Sequence, residues 1–575
     1  MDNEKIRRSK VRLGDLLIDA GLLNDIQLQR ALQEQKRTGF KLGRTVIELG
    51  FVDEQRLLTA LSEQLNISFI ELKHFKFDNA LVQMLPENLA RRFRVIVLSR
   101  EPVGLLVGMS DPLDLFALDE MERVLRTPIH PAVVREDEML KALDTLYRRT
   151  SELDIIAGEL EGDLKDSDFD LSALGATNNS DAPVVRLLRT LFEDAVQMNA
   201  SDIHIEPGDG VLRIRQRIDG VLSEHILKEP RVASALVMRL KIMSGLDIAE
   251  KRLPQDGRFN IRVKNHAIDV RISTMPVQYG ESVVMRLLDQ TNGITSLENG
   301  GMPAPMLARF RQLLQRSFGL VLVTGPTGSG KTTTLYAGLS ELNSPQKKII
   351  TVEDPVEYRL PRVNQVQVNA KIDLSFSRIL RSALRQDPDI LLIGEIRDHE
   401  TAEIGLRAAM TGHMVLSTLH TNDAPTTAMR LIDMGVEPFL VATALTAVLA
   451  QRLIRRVCES CRATHIPQPH QMAWLEHLHG ASLHTHTFYK GTGCHHCHNT
   501  GYSGRLGVFE LLEMNAEMIA ALRRNDPQGF ADAALASPNY RPLAICALDY
   551  ALTGLSSVEE VLKVSVFRAD EGANQ

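Results

Sequence analysis

Cysteine is scarce in this chain, with five in 575 residues. So few cannot supply a disulfide framework for a protein of this length. Four of them fall in two CxxC pairs, Cys458/Cys461 and Cys494/Cys497, and the fifth, Cys546, lies in an apolar helix-like stretch that reads as buried. Long hydrophobic runs are also missing. The longest, around Phe439–Ala450, is shorter than a bilayer span and broken by threonines. The opening MDNEKIRRSK is charged and has no apolar signal core. These absences predict a cytoplasmic chain that meets a membrane only through partners. Positive charge is not in excess either: 66 Lys+Arg against 73 Asp+Glu leaves a net charge of −7, without a long basic stripe. Nucleic acid is disfavoured as the main partner.

What is present starts with a repeat. Residues 12–35 (RLGDLLIDAGLLNDIQLQRALQEQ) and 41–64 (KLGRTVIELGFVDEQRLLTALSEQ) match position by position. A basic residue (Arg12, Lys41) precedes Leu13-Gly14 or Leu42-Gly43, followed by Asp15 or Arg44. A Gly turn (Gly21, Gly50) leads to an Asn24 or Asp53 cap. The helix then carries Leu28/Leu32 or Leu57/Leu61 and ends on Gln35 or Gln64. Two half-sites for one two-fold-symmetric ligand would look like this: Gly opens the backbone to close approach, the basic residue meets a purine face or a phosphate, and Gln bonds a base edge. A plain four-helix bundle of duplicated hairpins is the alternative.

Composition, with 44% hydrophobic and 24% charged residues, is that of a soluble globular protein, and the length divides into three or four domains. We place a helical repeat unit at 1–70, an α/β remainder at 71–150, an acidic flexible linker at 151–179, an α+β domain at 180–298 and an α/β domain at 299–575. Period-two runs such as LRIRQRIDGVLSE and HAIDVRISTMPV predict an antiparallel sheet in the fourth segment. Fully apolar strands between loops and helices predict a parallel core in the fifth.

That core opens with GLVLVTGPTGSGKTTTLYAGL. An apolar strand, Leu320–Thr324, runs into Gly325-Pro326-Thr327-Gly328-Ser329-Gly330-Lys331-Thr332-Thr333 and a helix. This is a P-loop in the setting that confirms the motif. Its amides and the helix dipole suit phosphates, Lys331 reaches the β- and γ-phosphates, and Thr332 ligates Mg²⁺. Downstream, DILLIGEIRD looks like a Walker B strand with Glu395 nearest the metal. IITVEDPVEY places Glu353, Asp354 and Glu357 after another apolar strand, where a carboxylate can polarise water. TGHMVLSTLHT sets His413 and His420 on either side of a short strand. The reading is ATP hydrolysis.

Together these elements resemble the type IV pilus assembly and type II secretion ATPase family, from about Asp181 to the C-terminus. The repeat resembles the tandem cyclic di-GMP motif of the MshEN domain. The resemblance implies a RecA-like ATPase core in a homohexamer, with each P-loop completed by arginines of the preceding domain, here Arg271 and Arg286. It assigns the catalytic water to Glu357 and half of one cyclic di-GMP to each repeat. It further implies pilus extension, of the mannose-sensitive haemagglutinin (MSHA) type, against an inner-membrane platform protein. Type II secretion is the runner-up, and a DNA-translocating hexamer or a binding-only scaffold are rivals from other classes. Lys41 departs from the Arg of the motif, and without a planar fork its half-site is expected to be weaker.

The CxxC pairs, about 32 residues apart, read as a structural Cys₄ zinc site in a module at 456–500. Two redox dithiols, or ligation mixed with the nearby histidines (His470, His477, His479, His484, His486, His495, His496, His498), are the alternatives. Within the family this module marks assembly and secretion ATPases.

Overall fold

The computed structural model describes residues 14, 17–18, 20–38, 42–65, 67–75, 77–112, 114–147, 150–165, 182–290 and 296–565. It divides into two compact units. One holds the chain up to Arg149 together with Cys458–Cys461 and Thr492–Gly501, and the other holds the rest.

In the first unit the repeat is a repeat of backbone bonds. Gly21 N–H donates to Ile18 O at 2.9 Å and Leu22 N–H to Leu17 O at 2.9 Å; Gly50 and Phe51 do the same to Ile47 O and Val46 O at 2.9 and 3.0 Å. Gly21 and Gly50 both stand at positive φ, 66° and 70°, where a Cβ is disfavoured. Asn24 and Gln27 cap the helix Asp25–Thr38 reciprocally, each side chain accepting the other's N–H at 2.9–3.0 Å. Beyond the repeat lies a sheet of β1 (Val95–Glu101), β2 (Gly104–Met109) and β3 (Ile129–Val133), in that order. Val133 of β3 shares the core of Leu17, Leu23, Ala31, Val46, Val52, Leu57 and Leu58, so the stretches divided at residue 70 pack as one body.

The second unit begins with a difference from expectation. Residues 151–165, read as flexible linker, belong to a helix, Thr150–Lys165. Leu153, Ile156, Ala157 and Leu160 make an apolar stripe at helical spacing, buried with Val184, Leu187, Leu188 and Leu191 of the helix Pro183–Gln197. Glu159, one of the acidic residues that suggested a tether, lies off this stripe and pairs with Arg186 at 2.6 Å. The remainder of that linker, 166–179, lies outside the described residues.

Six antiparallel strands follow: β4 (Asp202–Pro207), β5 (Leu212–Ile218), β6 (Val221–Leu227), β7 (Gln255–Val263), β8 (His266–Val277) and β9 (Gly280–Asp289), in the order β6-β5-β4-β9-β8-β7. The motor sheet is built from β10 (Gly319–Thr324), β11 (Ile349–Glu353), β12 (Val363–Gln367), β13 (Ile390–Ile393), β14 (Met414–Leu419) and β15 (Leu445–Val457). A short hairpin, β16 (Arg462–His465) with β17 (Phe488–Gly491), precedes its last strand, β18 (Tyr502–Glu513). The order is β12-β11-β13-β14-β10-β15-β18, parallel except for the β15–β18 pair. Central β10 is buried on both faces, Leu320 and Leu322 in one core, Val321 and Val323 in the other. Among the described residues no helix is long and apolar enough to cross a membrane.

Candidate functional site

The P-loop leaves β10 at its carboxyl end, where parallel α/β sheets gather their ligand sites. Gly325, at φ 147°, passes so close to β15 that a Cβ there would lie 2.4 Å from Gln451 O. Gly330, at φ 90°, starts the helix Lys331–Leu342 and would bring a Cβ to 2.8 Å from Gln451 Nε2. Only glycine fits at these two points. Lys331 is 9% exposed and donates to Gly325 O and Pro326 O at 2.8 and 3.0 Å. Burial pulls its pKa down to about 8, with Glu395 working in the opposite direction and Arg452 adding to the fall. Ser329 is 3% exposed, and among the described residues its Oγ has no hydrogen-bond partner. An orphaned hydroxyl and a lysine resting on carbonyls suit an incoming phosphate, and Thr332 and Thr333 are exposed beside them.

The carboxylates separate into different environments. Glu353 is buried, bonded to Tyr336 Oη, to Thr351 Oγ1 at 2.5 Å and to Gln365 Nε2 at 3.2 Å. It ties the P-loop helix to β11. Glu357 Oε1 accepts from Arg271 Nη1 at 3.1 Å, and Arg271 Nη2, which donates to Val356 O at 3.1 Å, lies in ion-pair contact with Glu357 Oε2 at 2.7 Å. Glu395 faces His420 Nε2 at 3.6 Å and is bonded by Arg397, which also approaches Asp354 at 3.6 Å. Burial and the neighbouring Lys331 hold His420 below the ordinary histidine range. Arg271 and Arg286 are cross-strand partners on β8 and β9. Arg271 turns to Glu357 of its own chain, and Arg286 to Asp202 Oδ1 at 3.2 Å.

His413 is a correction. It precedes β14 and His420 follows it, and a strand rising about 3.3 Å per residue puts them roughly 20 Å apart. The P-loop lies at the His420 end. His413 instead receives Gly319 N–H on its carbonyl, and its Nδ1 meets Ala408 O at 2.9 Å, which places it at the opposite end of the strands. The sequence shows that two histidines flank a strand, but the strand's length separates them. Gln451 and Arg452 were missed for the converse reason. They stand at the P-loop only because β15 pairs with β10, and no local motif announces that pairing.

The four cysteines converge. Cys458 Sγ lies 3.8 Å from Cys494 Sγ, Cys461 Sγ 3.7 Å from Cys497 Sγ, and Cys494 Sγ 3.7 Å from Cys497 Sγ. A tetrahedron of thiolates at about 2.3 Å from zinc has edges of about 3.8 Å, so these residues fit that ion. Cys497 is biased toward thiolate by its bond with Cys458 and by the N–H groups of Cys494 and Gly501. Among the described residues no histidine joins this group. The excursion between the pairs is the β16–β17 hairpin around the helix Pro469–His479.

At the repeat, Arg12, Leu13, Asp15 and Lys41 lie outside the described residues, as do the side chains of Arg44, Leu61 and Gln64. Gly14 packs under Leu28, where an added Cβ would meet Cδ1 at 3.0 Å. Leu28, Leu32, Leu42, Gly43 and Gln35 are half-buried, and Leu57 is in the core.

A buried strand, a glycine-wrapped lysine and carboxylates on the neighbouring strand ends define a P-loop ATPase. Comparison narrows the class. The family model for Type II/IV secretion system proteins matches residues 177–563, and that for the MshEN domain matches 65–153, beyond the tandem motif. The type IV pilus assembly ATPase PilB of Myxococcus xanthus (strain DK1622) is 42% identical over 505 residues, covering 87% of this chain and 89% of its own. Type II secretion system protein E of Pectobacterium carotovorum subsp. carotovorum is 43% identical over 496 residues, covering 84% and 97%. The Legionella pneumophila ATPase DotB shares the motor fold at a TM-score of 0.50 and 20% identity, covering 66% of this chain and 95% of its own. This chain belongs to the type II/IV secretion ATPase family and carries an MshEN domain.

Proposed function

We propose that the chain is a cyclic di-GMP-regulated hexameric ATPase that powers extension of a type IV pilus, of the MSHA type, from the cytoplasmic side of the inner membrane. The observation that carries this reading is a complete phosphate loop on the same chain as a tandem repeat with matching turns. Lys331 leaves the Gly325 and Pro326 carbonyls for the β- and γ-phosphates while the amides of 326–333 wrap them. The Thr332 hydroxyl and the Glu395 carboxylate would hold Mg²⁺, which supplies charge neutralisation on the phosphate oxygens. Glu357 orients the attacking water and His420 steadies Glu395. Arg271 exchanges Glu357 for phosphate when, with Arg286, it completes a site in the hexamer. Cys458, Cys461, Cys494 and Cys497 hold zinc as a closed structural site. The force is passed to an inner-membrane platform protein.

Type II secretion is the second reading, favoured by relatives of that kind that match as well as the pilus ATPase does. Phosphate release from the purified chain tests the motor. Lys331→Ala should weaken both nucleotide binding and turnover, whereas Glu357→Gln should keep binding and lose roughly 10²-fold in turnover. Wild-type turnover in Glu357→Gln would move the water-orienting role to Glu395. A deletion strain that loses surface pili but keeps its secreted proteins supports the first reading over the second, and the reverse phenotype supports the second.

A further inference from the structure

Two residues of β15 stand against the phosphate loop without a part in the mechanism above. Gln451 and Arg452 are 4% and 6% exposed. Gln451 reaches both ends of the loop: its carbonyl underlies Gly325, its Nε2 underlies Gly330, and its Oε1 accepts from Thr334 Oγ1 at 2.8 Å. Arg452 Nη1 donates to Gln451 O at 3.2 Å and would lie 3.1 Å from a Cβ on Gly325. Its Nη2 donates to Asn422 O at 2.7 Å and approaches Asn422 Oδ1 at 3.3 Å. Nε has no partner.

These partners are amide oxygens, not carboxylates, and the negative field comes from Glu510 and Asp423 beyond them. A buried cation held this way is costly, so fold stability alone does not account for it. What Arg452 joins is informative. Asn422 follows Thr421, whose N–H donates to Thr324 Oγ1 at 3.0 Å at the base of the P-loop, and Thr421 follows His420, which faces Glu395.

We propose that Arg452, seated by Gln451, is a positioning residue for ATP hydrolysis: it fixes the phosphate loop and the 420–423 loop against each other around Lys331. The inference rests on the proposed role of Lys331.

The test is phosphate release by the full chain against ATP concentration, for wild type, R452Q and R452K. In R452Q kcat should fall about tenfold or more while KM stays within about twofold, because the nucleotide still binds but the two loops lose their relative position. R452K keeps the charge but not the fork to Asn422, so it should rescue kcat only in part, to several-fold below wild type. Wild-type kinetics in R452Q, or a loss carried mainly by KM, overturns the proposal. If R452Q does not fold, R452K decides: wild-type turnover overturns the proposal, and the several-fold loss supports it. An inert wild type or a fully active Lys331→Ala would instead sink the ATPase reading, so the two failures are distinguishable.

Discussion

At the scale of single residues, burial governs the lysine of the phosphate loop. Lys331 is buried against carbonyls, and its pKa falls from 10.5 to about 8. The sign of the pH effect follows. Between those two values the unfolded chain binds more protons than the folded one, so this group adds stability to the nucleotide-free protein as pH rises. ATP reverses the preference, because it pairs with the charged amine. The gain in melting temperature given by ATP should therefore shrink as pH climbs through about 8, and Lys331→Ala should show little ATP-dependent gain at any pH. A thermal-shift series with and without ATP checks this, and a gain independent of pH in the wild type would contradict it. The loop glycines were legible in the sequence because wrapping a phosphate restricts residue type. Arg271 on Glu357 was not, since that contact joins β8 to a loop 86 positions later.

At the scale of elements, two segments show how composition misleads and spacing informs. SELDIIAGELEGDLK reads as an acidic tether, yet Leu153, Ile156, Ala157 and Leu160 recur at helical spacing and bury against Pro183–Gln197. Ile156→Asp should cost the folded unit about 3 kcal/mol or more, measured as a lower denaturation midpoint, because it places a charge in that interface. A solvated tether would tolerate the change. The cysteine pairs were legible because ligand spacing is itself the signal. The hairpin and helix between them were not, because a closed clip fixes only where an excursion begins and ends. Metal analysis should find about one zinc per chain, and Cys461→Ser should reduce it and lower thermal stability. A chain free of zinc with unchanged melting would remove the clip.

At the scale of the whole molecule, the motor's strand order puts β10 between β14 and β15, strands that come about a hundred residues later in sequence. No local pattern encodes that order, although the fully apolar strands did announce a buried parallel sheet. The repeat is the opposite case, since its 29-residue offset reappears as identical turn bonds at Gly21 and Gly50. Duplicated turns are what a ligand with two equal halves requires. The full chain should therefore bind one cyclic di-GMP per protomer, not two. Arg12→Ala or Gln35→Ala should each weaken binding by about 1–3 kcal/mol, for a lost charged or bidentate contact. Lys41→Arg should tighten it, because a guanidinium fork fits guanine better than an ammonium does. Gly14→Ala is a sharper probe. Its new Cβ would crowd the end of the Leu28 side chain, which can shift, so the fold should survive while close approach of the ligand is lost. A plain bundle of duplicated hairpins predicts that these polar changes alter folding slightly and bind nothing. Titration calorimetry on the folded chain separates the two. Heat saturating at one ligand per protomer supports the regulated motor, and no heat at ligand concentrations on the order of tens of micromolar would leave the motor without this switch.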